Sequence, residues 1–168
     1  METAATQPKP GRWNWLSLAL FIALCLVVGG ISGYFNASAI PGWYANLQKP
    51  GWTPPNQVFA PVWTFLYICI GIAGWLVWSS PSGSERGSAF RLWSLQLLLN
   101  FIWTPLFFGL KWPGWAALDI VALWVVIVAF ILVARRVSAW AAILFVPYWA
   151  WVSYASSLNI AIWHLNGV

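Results

Sequence analysis

Asn100, Trp103 and Phe107 follow one another at intervals of three and four residues, which puts them on one face of a helix. Trp63 and Tyr67 stand four apart, and Trp151, Ala155 and Leu158 repeat the pattern further on. Aromatic faces of this kind stack on flat rings, a small residue such as Ala155 leaves room, and one amide supplies an oriented hydrogen bond. Together they describe a pocket for a flat, mostly apolar molecule. By spacing alone the same faces could also pack on each other as core.

Other chemistries fail by residue type. Asp119 is the only carboxylate inside an apolar run. It is either a functional group within the membrane or a hydrogen-bond partner for a neighbouring helix or water. With no second acid beside it, two-carboxylate catalysis has no basis. His164 is the single histidine, so a zinc site cannot be assembled. It is either an axial haem ligand or an idle residue at the end of the last run. Cys25 and Cys69 lie inside apolar runs and read as small buried hydrophobes. No glycine-rich phosphate loop and no Ser/His/Asp set is present. No catalytic residues, metal site or required cofactor are expected.

The elements that must hold these faces follow from composition. The 168 residues are 61% hydrophobic and 7% charged, too few charges to cover a soluble domain of this length. No Lys, Arg, Asp or Glu occurs between Arg12 and Lys49, between Lys49 and Glu85, between Arg91 and Lys111, or after Arg136. Runs of this length and polarity predict membrane helices, since lipid admits only helices or closed barrels and no period-two alternation is present. The expected fold is therefore all-α, an integral membrane bundle of five transmembrane helices. They run from about Asn14 to Phe35, Val58 to Ser79, Ala89 to Gly109, Trp115 to Ala134 and Ala139 to Trp163. Residues 1–13 form a polar tail and 14–168 the bundle. The first run is expected to be a retained span, because no polar mature domain follows it. Pro105 and Pro147 are expected to kink their helices and open space between them. Gly29 and Gly33 permit close approach, with packing inside the chain favoured over a dimer seam.

The net charge of +5 carries no nucleic-acid signal, because the basic residues stand singly or in pairs at span ends. Lys9, Arg12, Arg86, Arg91, Arg135 and Arg136 flank one side, and Lys49 and Lys111 the other. For a cell membrane this places the N-terminus in the cytoplasm. Of the sixteen tryptophans, Trp13, Trp15, Trp78, Trp93, Trp112, Trp115, Trp140 and Trp163 fall near span ends, where interfacial belts account for most of them.

The segment Pro41–Tyr67 holds five prolines and three tryptophans between the first two spans. Pro50, Pro54 and Pro55 stiffen it, and Asn56 is expected to cap the second helix. A stiff loop presenting Trp43, Tyr44 and Trp52 could close one mouth of the bundle, which favours the pocket over simple core.

At this point the residues resemble a known family. Trp43-Tyr44, Leu47, Lys49-Pro50, Trp52, Pro54-Pro55, Val58-Phe59, Pro61-Val62-Trp63 and Leu66-Tyr67 are similar to the signature of the translocator protein family (TspO, the peripheral benzodiazepine receptor). So are Gln96, Leu99-Asn100, Trp103 and Phe107-Phe108, and Pro147-Tyr148, Trp151 and Leu158-Asn159. The resemblance covers about residues 15–165. It implies a five-helix bundle, usually a homodimer, in bacterial membranes or the mitochondrial outer membrane. It implies a loop-side pocket for porphyrins, haem precursors, sterols and benzodiazepine-type ligands. By position that pocket would include Trp43, Tyr44, Trp63, Asn100, Trp103, Trp151, Ala155 and Leu158. Porphyrin or haem would be its ligand, with a role in transport or stress regulation downstream. The alternative is an enzyme of light-dependent oxidative porphyrin breakdown using Trp63 and Trp151. The last helix lacks the Tyr and following Lys or Arg of the animal sterol pattern, which favours a bacterial member.

Overall fold

The computed structural model describes residues 14–167, so the expected tail at 1–13 lies outside the described residues. Among those described, five helices are long and apolar enough to cross a membrane. They are α1 (Trp15–Ala39), α2 (Phe59–Ser79), α3 (Ser84–Thr104), α4 (Pro113–Val137) and α5 (Ala139–Asn166). The fold is all-α, as composition required.

Local chemistry sets the helix ends. The Asn14 side chain accepts from the Leu16 amide at 3.1 Å and starts α1. Pro113 opens α4, where its missing N–H costs nothing. Ser138 caps α5, which ends at Gly167 in the left-handed region (φ 66°). Two short 3-10 turns, Tyr44–Asn46 and Asn56–Val58, lie in the connection between α1 and α2.

Several expectations are corrected. Asn56 does not cap α2; it opens the second 3-10 turn, and α2 starts at Phe59 after Val58, with no side-chain cap. α3 starts at Ser84 and not near Ala89, because Glu85 sits in its first turn where a negative charge is favoured. α4 starts at Pro113 for the reason given above. Pro105 does not simply kink α3. The backbone widens into a π-helical turn, Pro105–Gly109, with the Leu110 amide donating to the Pro105 carbonyl at 2.8 Å. Pro147 lies inside α5, whose helical assignment continues past it. Trp93 is not interfacial. It is 3% exposed and its indole donates to the Ile70 carbonyl at 2.9 Å. Trp15, Trp112, Trp115 and Trp140 are exposed, as an interfacial belt requires, and Trp13 lies outside the described residues.

α4 packs along α5 and α3, α1 along α2, and α2 along α5; α3 closes the bundle against α1 and α2. The Glu85–Arg136 ion pair at 3.3 Å joins the α2–α3 and α4–α5 turns at the end opposite the long connection. The core centres on Phe130, Phe145, Tyr148, Leu66 and Ile70, with the Phe130 and Phe145 rings 3.9 Å apart.

Close helix contact depends on glycine in α2. A Cβ at Gly71 would stand 2.8 Å from the Ile22 Cα of α1, and one at Gly74 would enter the Trp93 ring. Gly71→Ala and Gly74→Ala are each expected to cost about 1–3 kcal/mol by forcing apart packed atoms. The midpoint of thermal unfolding in detergent should fall for both, while Gly83→Ala, with open space around it, should leave it unchanged.

Candidate functional site

A cavity of about 440 Å³ opens at the end of the bundle where α1 runs into the long connection. Its walls come from all five helices and the π turn after α3, with Ile120 and Leu123 from α4, and the connection contributes Tyr44 and Asn56. Tyr44, Trp63, Asn100, Trp103, Phe107, Trp151, Ala155 and Leu158 all line it. Trp43 does not. Its ring packs edge-on against Phe107, with centroids 5.6 Å apart, so it supports a residue of the wall without lining the cavity itself.

The aromatic walls are held in fixed orientations. Trp103 stacks on Phe107 at 5.1 Å, and its indole donates to Asn159 Oδ1 at 2.9 Å. Asn159 in turn donates to the Pro113 carbonyl at 2.8 Å. Trp63 leans on Tyr67 at 5.5 Å and meets Tyr148 edge-on at 6.2 Å. Trp151 meets Phe59 edge-on at 5.8 Å.

Asn100 was expected to offer its amide to a ligand. In the bundle its Oδ1 accepts from the Tyr67 hydroxyl at 2.6 Å and its Nδ2 donates to the Tyr148 hydroxyl at 3.0 Å. The amide therefore ties α2, α3 and α5 together while bordering the cavity. The polar lining residues that sequence reasoning missed are Thr64 on α2, Thr104 on α3, and Ser32 and Asn36 on α1. The signal for the α1 pair was present: Gly29, Ser32, Gly33 and Asn36 put small and polar residues on one face of an otherwise apolar helix. Gly29 meets the Tyr67 ring, whereas Gly33 has open space beside it.

The connection is a lid stitched to α5. Gln48 and Asn166 exchange two hydrogen bonds: the Gln48 amide donates to Asn166 Oδ1, and Asn166 Nδ2 donates to the Gln48 carbonyl, each at 2.9 Å. The Tyr154 hydroxyl donates to the Trp52 carbonyl at 2.6 Å, leaving the Trp52 side chain 58% exposed. Lys49 reaches back to the Ala45 and Leu47 carbonyls at 3.2 Å and lies over the Tyr44 ring at 4.8 Å. Tyr44 packs beneath, against Phe107 and Phe108. Burial, and secondarily the neighbouring Tyr154 phenol, push the Tyr44 pKa above the usual phenol range, so it stays neutral.

Asp119 and His164 are not in the cavity lining. Among the described residues no three of His, Cys, Asp and Glu come together as a metal site.

The sequence was compared with known proteins. The model of the TspO/MBR family matches residues 21–164. The chain belongs to the TspO/MBR family. The "Tryptophan-rich protein TspO" of Chlorobaculum tepidum is 42% identical over 158 residues, 90% of this chain and 96% of that protein. The "Translocator protein" of Sus scrofa is 37% identical over 146 residues, covering 83% and 86%. The "Tryptophan-rich sensory protein" of Cereibacter sphaeroides is 35% identical over 154 residues, covering 91% and 93%. With five spanning helices, this TspO/MBR member is an integral membrane protein and the lipid bilayer is its environment.

Asn166→Ala removes both bonds to Gln48, and Tyr154→Phe removes the bond to Trp52. Hydrogen–deuterium exchange over residues 42–56 is expected to speed up about a hundredfold in the double variant, since each of the three lost bonds is worth about 1 kcal/mol. Unchanged exchange would show that the lid is held by packing alone.

Proposed function

We propose that this protein is a membrane receptor for porphyrins and related flat tetrapyrroles, which also accepts benzodiazepine-type ligands and sterols. A role in ligand transport or stress regulation would follow from that binding. The observation that carries this is the cavity itself: indoles from α2, α3 and α5, with Phe107 and the lid residue Tyr44, border one space of about 440 Å³. Rings fixed by hydrogen bonds and edge contacts present preformed faces for stacking, which limits the entropy lost on binding. Among the described residues no Lys, Arg, His, Asp or Glu lines the cavity. The macrocycle would occupy the aromatic part, and ionised side groups would stay at the lid end, near water.

Membership of a family with relatives named "Translocator protein" and "Tryptophan-rich sensory protein" supports a receptor or regulatory role. The proposal includes a homodimer and a bacterial cell membrane with the N-terminus cytoplasmic. Arg86, Arg91, Arg135 and Arg136 gather at the end opposite the lid, which supports that orientation.

Titration with protoporphyrin, read as quenching of tryptophan fluorescence, tests the pocket. Trp63→Ala with Trp151→Ala is expected to weaken binding at least tenfold, because two buried aromatic contacts are lost. Equal affinity in the double variant would remove the assignment.

A second reading is favoured by one observation. Trp63 and Trp151 both border the cavity, where electron-rich indoles would lie beside a bound photosensitiser. Light-dependent oxidative breakdown of porphyrin would then use them as redox participants. Illumination of the complex in air should produce a bilin-like absorbance band that Trp63→Phe with Trp151→Phe abolishes. Photobleaching indistinguishable from free porphyrin would exclude the enzyme.

A further inference from the structure

Five buried side-chain polar atoms among the described residues have no hydrogen-bond partner: Ser32 Oγ, Asn36 Oδ1, Gln96 Oε1, Asp119 Oδ2 and Trp151 Nε1. Three of the five, those of Ser32, Asn36 and Trp151, belong to residues that line the cavity. A buried polar atom left unpaired is costly, so orphans around one cavity point to what occupies it.

The two on α1 form a unit. Ser32 and Asn36 are four residues apart and share a face. Ser32 is only 7% exposed, while much of α1 faces outward with Leu20, Leu24, Val27 and Ile31 exposed. The Tyr67 phenol spends its proton on Asn100, and the Ser32 hydroxyl can only donate toward the Tyr67 oxygen, which leaves the lone pairs of Ser32 Oγ without a donor. Gly33, between them, has nothing within 4 Å of where its Cβ would be, so there is room at this wall for a ligand group. Both oxygens are covered as they stand, and rotation of the Ser32 hydroxyl and the Asn36 amide about their side-chain bonds would turn them toward that space. Both oxygens accept hydrogen bonds. With no charged side chain in the lining, an ionised group placed here would lack a counter-charge.

We propose that Ser32 and Asn36 form a polar subsite on α1 that takes a neutral hydrogen-bond donor, an O–H or N–H, on the edge of a flat apolar ligand. This rests on the cavity being the ligand site. It adds a specificity the aromatic walls cannot supply, since stacking does not distinguish a hydroxyl from its methyl ether. A ligand offering such a donor is preferred over one of equal size and shape without it.

The test uses two neutral fluorescent probes, 1-pyrenemethanol and 1-(methoxymethyl)pyrene, with the full chain in lipid nanodiscs. Binding is read as energy transfer from tryptophan, and protoporphyrin is the competitor. The alcohol should bind the unaltered protein roughly fivefold tighter than the ether, the worth of one neutral hydrogen bond. Ser32→Ala with Asn36→Leu should bring the two affinities together while leaving the ether's affinity within about twofold, which also reports that the variant is folded. If that variant loses the ether too, Ser32→Ala and Asn36→Leu made singly should each reduce the preference. Equal affinity of the two probes for the unaltered protein, or a preference that survives the substitutions, overturns the subsite and leaves the cavity standing. Probes that bind but are not displaced by protoporphyrin overturn the cavity as the shared site, and the subsite with it.

Discussion

Inside a bilayer an amide has no water to turn to, and the bundle is organised around that fact at Asn100. Its oxygen accepts from Tyr67 on α2 and its nitrogen donates to Tyr148 on α5, so one side chain on α3 holds three helices. Neither phenol could be buried without a partner, and neither could the amide. The three therefore fix one another's positions. Trp63 leans on both tyrosines, so the orientation of a cavity wall follows from the same two bonds. Asn159 plays a part similar in kind, aligning Trp103 and anchoring the start of α4.

The cavity is the space this arrangement leaves unfilled below the lid. The lid is neither a tether nor a free flap. Its prolines stiffen its path, and its backbone is bonded to Asn166 and Tyr154 of α5. Opening it means breaking those bonds and lifting Tyr44 from Phe107 and Phe108. Access and recognition are thus separable: the first depends on α5 and the lid, the second on rings and on the few polar atoms that the bundle does not use for itself.

Much of this was legible in residue order. Apolar runs bounded by charges announced five spans, and the spacing of Asn100, Trp103 and Phe107 correctly placed them on one wall. The Pro41–Tyr67 segment was recognisable as a lid from its prolines and tryptophans. What periodicity could not show was the role of an individual side chain. Trp93 stands near the expected start of the third span, but α3 begins earlier, at Ser84, and the missing Cβ of Gly74 admits its ring to the core. Trp43 and Tyr44 are neighbours in the loop, and the 3-10 turn beginning at Tyr44 sends only Tyr44 to the cavity. Asn56 has the chemistry of a cap, but the chain makes a 3-10 turn there before α2 begins.

Sequence alone determined the membrane, the number of helices, the stiffness of the lid and the aromatic character of the site. Each follows from composition or from contacts close along the chain, which lipid and backbone geometry constrain strongly. Only tertiary structure decided where hydrogen bonds are spent. Asn100 looked like the group that would greet a ligand, but two tyrosines from other helices claim its amide. Ser32 and Asn36 looked incidental, yet their oxygens are left without partners beside open space. A polar group is available only if no neighbour satisfies it, and those neighbours come from distant parts of the chain.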